Sequence, residues 1–367
     1  TTLGDPPVIV SIGGVESALR NTSVEALEVT FSESLAPGSF DPGDVSIRRN
    51  GGANLVDGSV SVTDLGGGTY RVEGLGNLTD VEGNYEISVD AAGVQDLGGM
   101  DGAGTQTVVW RLDQTPPTVL ELTPLPDGGA SQLPVTGVEV TFSEAIDPAM
   151  VTPAVLNLSR SGSGNLLAAG TFIEQLSSSQ FRIPDLAALT GLEGDYTFSI
   201  DLTSLRDEAG NAGAGSAQVE WQLDQTTPQP ASNLRVSPDT GESDTDGLTR
   251  VLDLVVQGDV AEASLDITVR DVSAERTFGG AIITDTSFTC PATLGGPGLH
   301  RMRVRSTDGA GNQADAFFDV FIDLTPPALS AFSVVESPRS TPLTDVDLTF
   351  SEALQASTLA RDDITLQ

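Results

Sequence analysis

The groups in this chain best suited to chemistry are acidic side chains set inside recurring phrases. Asp113 opens Asp-Gln-Thr-Pro-Pro, Glu144 closes Val-Thr-Phe-Ser-Glu, and Asp207 and Asn211 bracket Asp-Glu-Ala-Gly-Asn. Carboxylate and amide oxygens are hard ligands, and Ca²⁺ takes roughly six to eight of them, backbone carbonyls and water included. The same phrases offer Glu33 with Asp96 earlier in the chain, and Asp308 with Asn312 later. Met100 stands at the position of Asn211, so a site on Glu33 and Asp96 should be weaker or recruit Asp101. A further acidic run lies between Ser237 and Gly247. From Glu242 to Asp253 its spacing is that of an EF-hand loop. Leu252, Leu254 and Val256 alternate as a strand, however, and leave no flanking helix. A calcium loop on Asp239, Asp244 and Asp246 is the fairer expectation. The competing reading is the same at every one of these places: Asp and Asn close tight turns by accepting backbone N–H bonds.

Other chemistries are excluded or weak. His300 is the only histidine and Cys290 the only cysteine, which leaves no zinc site, His-based triad or internal disulfide within the chain. There is no lysine, so a Lys–Asn isopeptide bond cannot form. Paired acids can hydrolyse glycosides, but so acidic a chain contains such pairs by chance. No enzyme is expected. Leu133-Pro-Val-Thr-Gly137 matches a cell-wall sorting signal but sits just before a strand, far from where that signal works, and reads as coincidence. The sequons headed by Asn21, Asn77 and Asn157 read the same way.

What must position these acids is a repeat. Val29 to Glu33 recurs at Val140 to Glu144, Glu82 to Tyr85 at Glu193 to Tyr196, and the phrase ending at Thr115 at Thr226, all at an offset of 111 residues. Trp110 and Trp221 keep that offset, as do Asp96 and Asp207. An offset that survives a whole domain means tandem copies. The expected boundaries are 1–114, 115–225, a divergent 226–324, and an incomplete 325–367, with Pro-containing joints that stiffen the connection and stop sheet pairing. Within a copy, Leu27, Val29 and Phe31 alternate with polar residues, as do Val45 with Ile47, Tyr70 with Val72, and Tyr85 with Ile87 and Val89. About seven short strands in such a length, separated by Gly-rich turns, predict an all-β antiparallel sandwich. Tyr85 and Tyr196 fall where a tyrosine corner is expected, or are simply core aromatics.

The formal charge of −35 makes nucleic acid and anionic membrane poor partners and invites cations. No stretch is long and apolar enough to enter a bilayer as a helix. The chain opens mid-linker, without a signal peptide, and is expected to be a piece of something longer.

The Phe-Ser-Glu strand end, the Asp-x-Ala-Gly-Asn loop and the Asp-x-Thr-Pro-Pro linker resemble bacterial immunoglobulin-like repeats of large surface adhesins and other secreted proteins. Residues 226–324 are similar to the subtype of calcium-dependent adhesin stalks. The resemblance implies tandem immunoglobulin-like sandwiches in an elongated array, in an extracellular or cell-surface setting. It also implies calcium at the junctions. In such a sandwich the loop after the second strand and the loop between the last two strands share the end that receives the linker, so Asp113, Glu144, Asp207 and Asn211 should converge. The leading expectation is a non-enzymatic stalk or fibre segment whose partners are neighbouring repeats, other copies in a fibre or a surface receptor. One alternative is a carbohydrate- or protein-binding module, which exposed stacking aromatics in the third copy would favour. Two others are an accessory region of a secreted enzyme, and a fibre subunit completed by strand donation at the C-terminal copy.

Overall fold

The computed structural model describes residues 4–123, 128–333, 340, 342, 344–354 and 358–365; Thr1 and Gln367, the outer limits of the expected domains, lie outside them. Among the described residues every regular element is a β-strand or a short 3-10 turn.

In the first sandwich one sheet runs Ile9–Gly13, Ala26–Phe31, Thr69–Glu73, Ser61–Gly66, and the other Leu19–Arg20, Thr105–Leu112, Gly83–Asp90, Val45–Arg49. The predicted alternation places the core: Leu27, Val29 and Phe31 meet Val45, Ile47, Ile87 and Val89 from the facing sheet, all buried. In the second sandwich Val119–Thr123, Val138–Phe142, Gln180–Ile183 and Glu174–Ser177 form one sheet, and Ser216–Leu223, Gly194–Asp201 and Leu156–Arg160 pair in the other. Val138, Val140 and Phe142 pack there with Leu158, Phe198 and Ile200. Each such side chain stabilises the fold by about 1.5–3 kcal/mol, and the two cores are separate.

Both readings of the tyrosines hold together. Tyr85 and Tyr196 are fully buried, stacked on Trp110 and Trp221 at 5.1 and 5.4 Å between ring centroids. Their hydroxyls donate to the carbonyls of Val81 (2.6 Å) and Leu192 (2.7 Å), four residues upstream, which is the tyrosine-corner bond. Val135, within the sorting-like phrase, is buried, and the carbonyls of Val135 and Thr136 accept bonds from Thr190 Oγ1 and Leu186 N, so the phrase is part of the second sandwich.

The third sandwich sets Ser232–Ser237, Asp253–Asp259, Ser287–Thr293 and Ile282–Thr284 against Leu248–Thr249, Gln313–Ile322, Gly298–Thr307, Asp266–Asp271 and Arg276–Phe278. Asp253 lies on a strand, as the alternation around it requires, and accepts from Thr293 Oγ1 at 2.7 Å. The chain divides into two compact units: one holds the first two sandwiches, the other the third sandwich and the C-terminal segment. Among the described residues of that segment Leu329–Phe332 pairs only with Leu348–Phe350, and none is buried.

Candidate cation centre at the linker

The serine of the Phe-Ser-Glu phrase explains how a linker is held. Ser143 donates its N–H to the Thr118 carbonyl (2.8 Å) and accepts the Thr118 N–H on its hydroxyl (3.0 Å). Ser32 makes the same reciprocal pair with Val8, and Ser351 with Ala328. In each case the partner directly follows a Pro-Pro pair. Proline donates no N–H, so the first residue after the pair is the first that can engage. The glutamate next to this serine is thereby brought beside the linker.

The third part is the late loop. The Asp207 carboxylate accepts the Asn211 N–H (2.7 Å), and Asp207 N–H donates to the Asn211 carbonyl (3.1 Å). Closing the loop so tightly requires the left-handed backbone that Gly210 adopts (φ 96°), a conformation glycine takes without penalty. Asn211 Nδ2 then donates both to Asp207 Oδ2 (2.8 Å) and to the Asp113 carbonyl (2.9 Å), tying loop to linker.

Asp113, Glu144 and Asp207 are thereby brought together, each with a carboxylate oxygen within 4.8 Å of the others, and no other set of three acids, histidines or cysteines does so among the described residues. Asp113 and Asp207 are buried and Glu144 partly so. Burial, then the charges of Asp207 and Asp113 and a hydrogen bond with Asp207, push the Glu144 carboxyl from 4.5 up to about 7. Arg111 opposes them, and its guanidinium contacts Asp113 Oδ2 at 2.9 Å. The donor set is all oxygen, crowded and short of positive charge, which suits a hard divalent cation and not zinc.

Residues 113–226 match a family model described as Bacterial Ig-like domain, and residues 226–324 match a second model of the same description. The chain belongs to the bacterial Ig-like domains. Similar solved structures include part of a 1.5-MDa bacterial ice-binding adhesin, at 16% identity and TM-score 0.36, with 88% of this chain and 99% of that chain covered. A segment of titin aligns at 13% identity and TM-score 0.35, covering 86% and 98%. The N-terminal part of a bacterial S-layer protein aligns at 15% identity and TM-score 0.23, covering 57% of this chain and 44% of that one. Among curated proteins none matches.

The other candidate acids of these Ig-like domains are placed differently. Asp308 and Asn312 repeat the loop: Asn312 Nδ2 donates to Asp308 Oδ2 (3.0 Å) and to the Asp224 carbonyl (2.9 Å). No glutamate of a Phe-Ser-Glu phrase accompanies them. Asp96 closes its loop on the N–H groups of Gly98 and Met100, but Met100 has no amide to reach a linker, and Asp101 is engaged by Gln95 Nε2 at 2.8 Å. Glu33 joins no three-acid group among the described residues. Asp239 accepts the Gly247 N–H (3.0 Å), and Asp246 those of Leu248 (3.0 Å) and Ser243 (3.2 Å), which holds the Asp246 carboxyl below its ordinary range. Asp244 is exposed. Asp239 and Asp246 close their own turn.

Two participants were not foreseen from the sequence. Glu82 Oε1 accepts from Gln114 N (2.5 Å) and Thr115 Oγ1 (2.8 Å), the latter chiefly holding its carboxyl below the ordinary value. Glu82 and Arg111 line one cleft with Asp113, Thr115, Ser143 and Glu144. The signal for Glu82 was its own repetition at Glu193.

Proposed function

We propose that this chain is a non-enzymatic spacer segment of a large secreted or cell-surface protein, and that a calcium ion on Asp113, Glu144 and Asp207 stiffens the connection between its first two Ig-like domains. One observation carries the reading. The three carboxylates come from three different places, the linker, a strand end and a late loop of the second domain, and meet within 4.8 Å. Such a cluster costs free energy without a counter-ion and gains it with one, so the ion favours the geometry that assembles it. Asn211 supports this by holding the Asp113 carbonyl, an additional oxygen at the same place. An ion that binds only the assembled form adds about 2.7 kcal/mol at a hundredfold excess over Kd.

The test is calorimetric titration with Ca²⁺, with melting and small-angle scattering in calcium and in chelator, on the whole chain and on Asp207→Ala. Calcium is expected to raise the first transition and narrow the range of conformations. Asp207→Ala is expected to lose the site while the second domain stays folded, because Asp207 is not one of the apolar side chains that form its core. Scattering and melting unmoved by chelation refute the proposal. Loss of the second domain's fold with calcium stoichiometry unchanged assigns Asp207 to turn closure alone.

A further inference from the structure

The outer face of the third domain's five-stranded sheet departs from the acidic character of the rest. Strand Gly298–Thr307 points Arg301, Arg303 and Arg305 outward, and Arg270 lies directly across from Arg303 on the neighbouring strand. Asp315 takes up Arg305 through two bonds of 2.7 and 2.9 Å, and Asp319 takes up Arg301 at 3.2 Å. Arg303 comes no nearer than 4.0 Å to Asp315 and its Nε is buried without a hydrogen-bond partner, and among the described residues Arg270 has no ion-pair or side-chain hydrogen-bond partner. Like charges directly across a strand pair destabilise a sheet, and a buried guanidinium N–H left unpaired costs more still. An anion lying between the two removes the first penalty, the repulsion between Arg270 and Arg303.

The anion's surroundings are apolar. Phe317 is opposite Arg303 in register, half exposed, with Arg301 held over its ring at 5.3 Å from the centroid. Phe321 and Leu299, paired in register, expose apolar surface on the same face. Phe317 and Phe321 stand four residues apart, about 13 Å along the strand. A single carboxylate side chain would fill the arginine pair and leave this surface bare. A linear polymer carrying a carboxylate on a ring with an apolar C–H face covers both. It also stays local: at physiological salt charges separate electrostatically beyond about 8 Å, so a narrow strand meets the arginines without facing the chain's −35 charge. A folded acidic protein would face that charge over a broad area.

We propose that this face binds a carboxylated polysaccharide, with a uronate carboxylate between Arg270 and Arg303 and sugar rings on Phe317 and Phe321. The test uses polygalacturonate, its neutral methyl ester and polyglutamate, titrated into the whole chain. Chelator is present throughout, so that no calcium bridge forms and the outcome is independent of the linker centre. Polygalacturonate is expected to bind, with the ester and polyglutamate weaker by about tenfold or more, the worth of one charge-assisted bond. Arg270→Gln and Phe317→Ser, both at the surface, are expected to lower that affinity about tenfold while the third domain stays folded, and Arg270→Gln is expected to raise its melting slightly by relieving the repulsion across the strand pair. Absence of binding overturns the proposal, as does equal binding by Arg270→Gln. Equal affinity for polyglutamate overturns the sugar assignment in favour of an acidic protein segment.

Discussion

Replacing Glu144 by glutamine separates the two effects that the linker cluster combines. The Glu144 carboxyl stands at about 7 in the folded chain against 4.5 for an ordinary glutamate. Between those values the folded state holds a proton that the unfolded state has released. Stability therefore falls as pH rises from about 4.5 to about 7, and the whole penalty is present above that. For a fully buried group a shift of that size is worth about 3 kcal/mol. Glu144 is only partly buried, and solvent screening reduces this to about 1–2 kcal/mol. Glutamine keeps the size and polarity and removes the charge. In chelator at pH 8 the variant is expected to be more stable than the parent by that amount, a rise of roughly 4–10 °C in the melting of the second domain. At pH 4, where both side chains are neutral, the difference vanishes. In millimolar Ca²⁺ the order reverses, because the parent keeps a charged ligand that the variant lacks. Differential scanning calorimetry across pH, with and without calcium, reads all three. A variant less stable than the parent in chelator at pH 8 refutes the account of Glu144 as a charge made costly by burial and by its acidic neighbours, and an undiminished calcium response refutes its proposed role as a ligand.

Arg111→Gln removes the cation already on Asp113: the metal-free form should lose stability while calcium binds a few-fold more tightly, read by the same titration. Tyr196→Phe deletes the bond to the Leu192 carbonyl and leaves the ring stack, so chemical denaturation should show a loss of about 1 kcal/mol. Val346 to Phe350 should exchange its amides rapidly, since a two-stranded pairing without buried residues is marginal in water. Protection there in the monomer contradicts this, and protection only in oligomers points to strand donation.

The architecture was legible because the central strands of each sandwich bury one face. Val29 and Phe31, or Val140 and Phe142, alternate with polar residues, and the alternation alone assigns the core side. The convergence at Asp113, Glu144 and Asp207 was legible because each acid sits in a phrase tied to one end of the sandwich. Side chains acting through reach and not through pattern were missed. Glu82 contacts a linker more than thirty residues away in sequence, as its bond to Thr115 shows; its repetition at Glu193 marks the position but not the partner. Strand Gln313–Ile322 defeats alternation outright: Phe318 and Val320 face the core while Phe317 and Phe321 face outward, so both sides are apolar in sequence. The arginine pair is visible only in the register between Asp266–Asp271 and Gly298–Thr307.

The proposed cation centre needs three parts, and the chain distributes them unevenly. The reciprocal serine bonds place a glutamate beside a linker three times, at Glu33, Glu144 and Glu352, and the asparagine loop reaches a linker carbonyl twice, at Asn211 and Asn312. Among the described residues, only at Asp113 do both occur together with a third acid. Met100 breaks the combination in the first domain, and the third has the loop without the glutamate. Calcium affinity rises with the number of charged ligands and the rigidity that holds them, so sites lacking one part should be weaker by orders of magnitude. Titration is therefore expected to resolve one tight site above a background of weak binding to the acidic surface, and Glu144→Gln should abolish that site alone. Several sites of equal affinity, or a tight site that survives the substitution, would show that the shared phrases serve the joints mechanically and that calcium is held elsewhere.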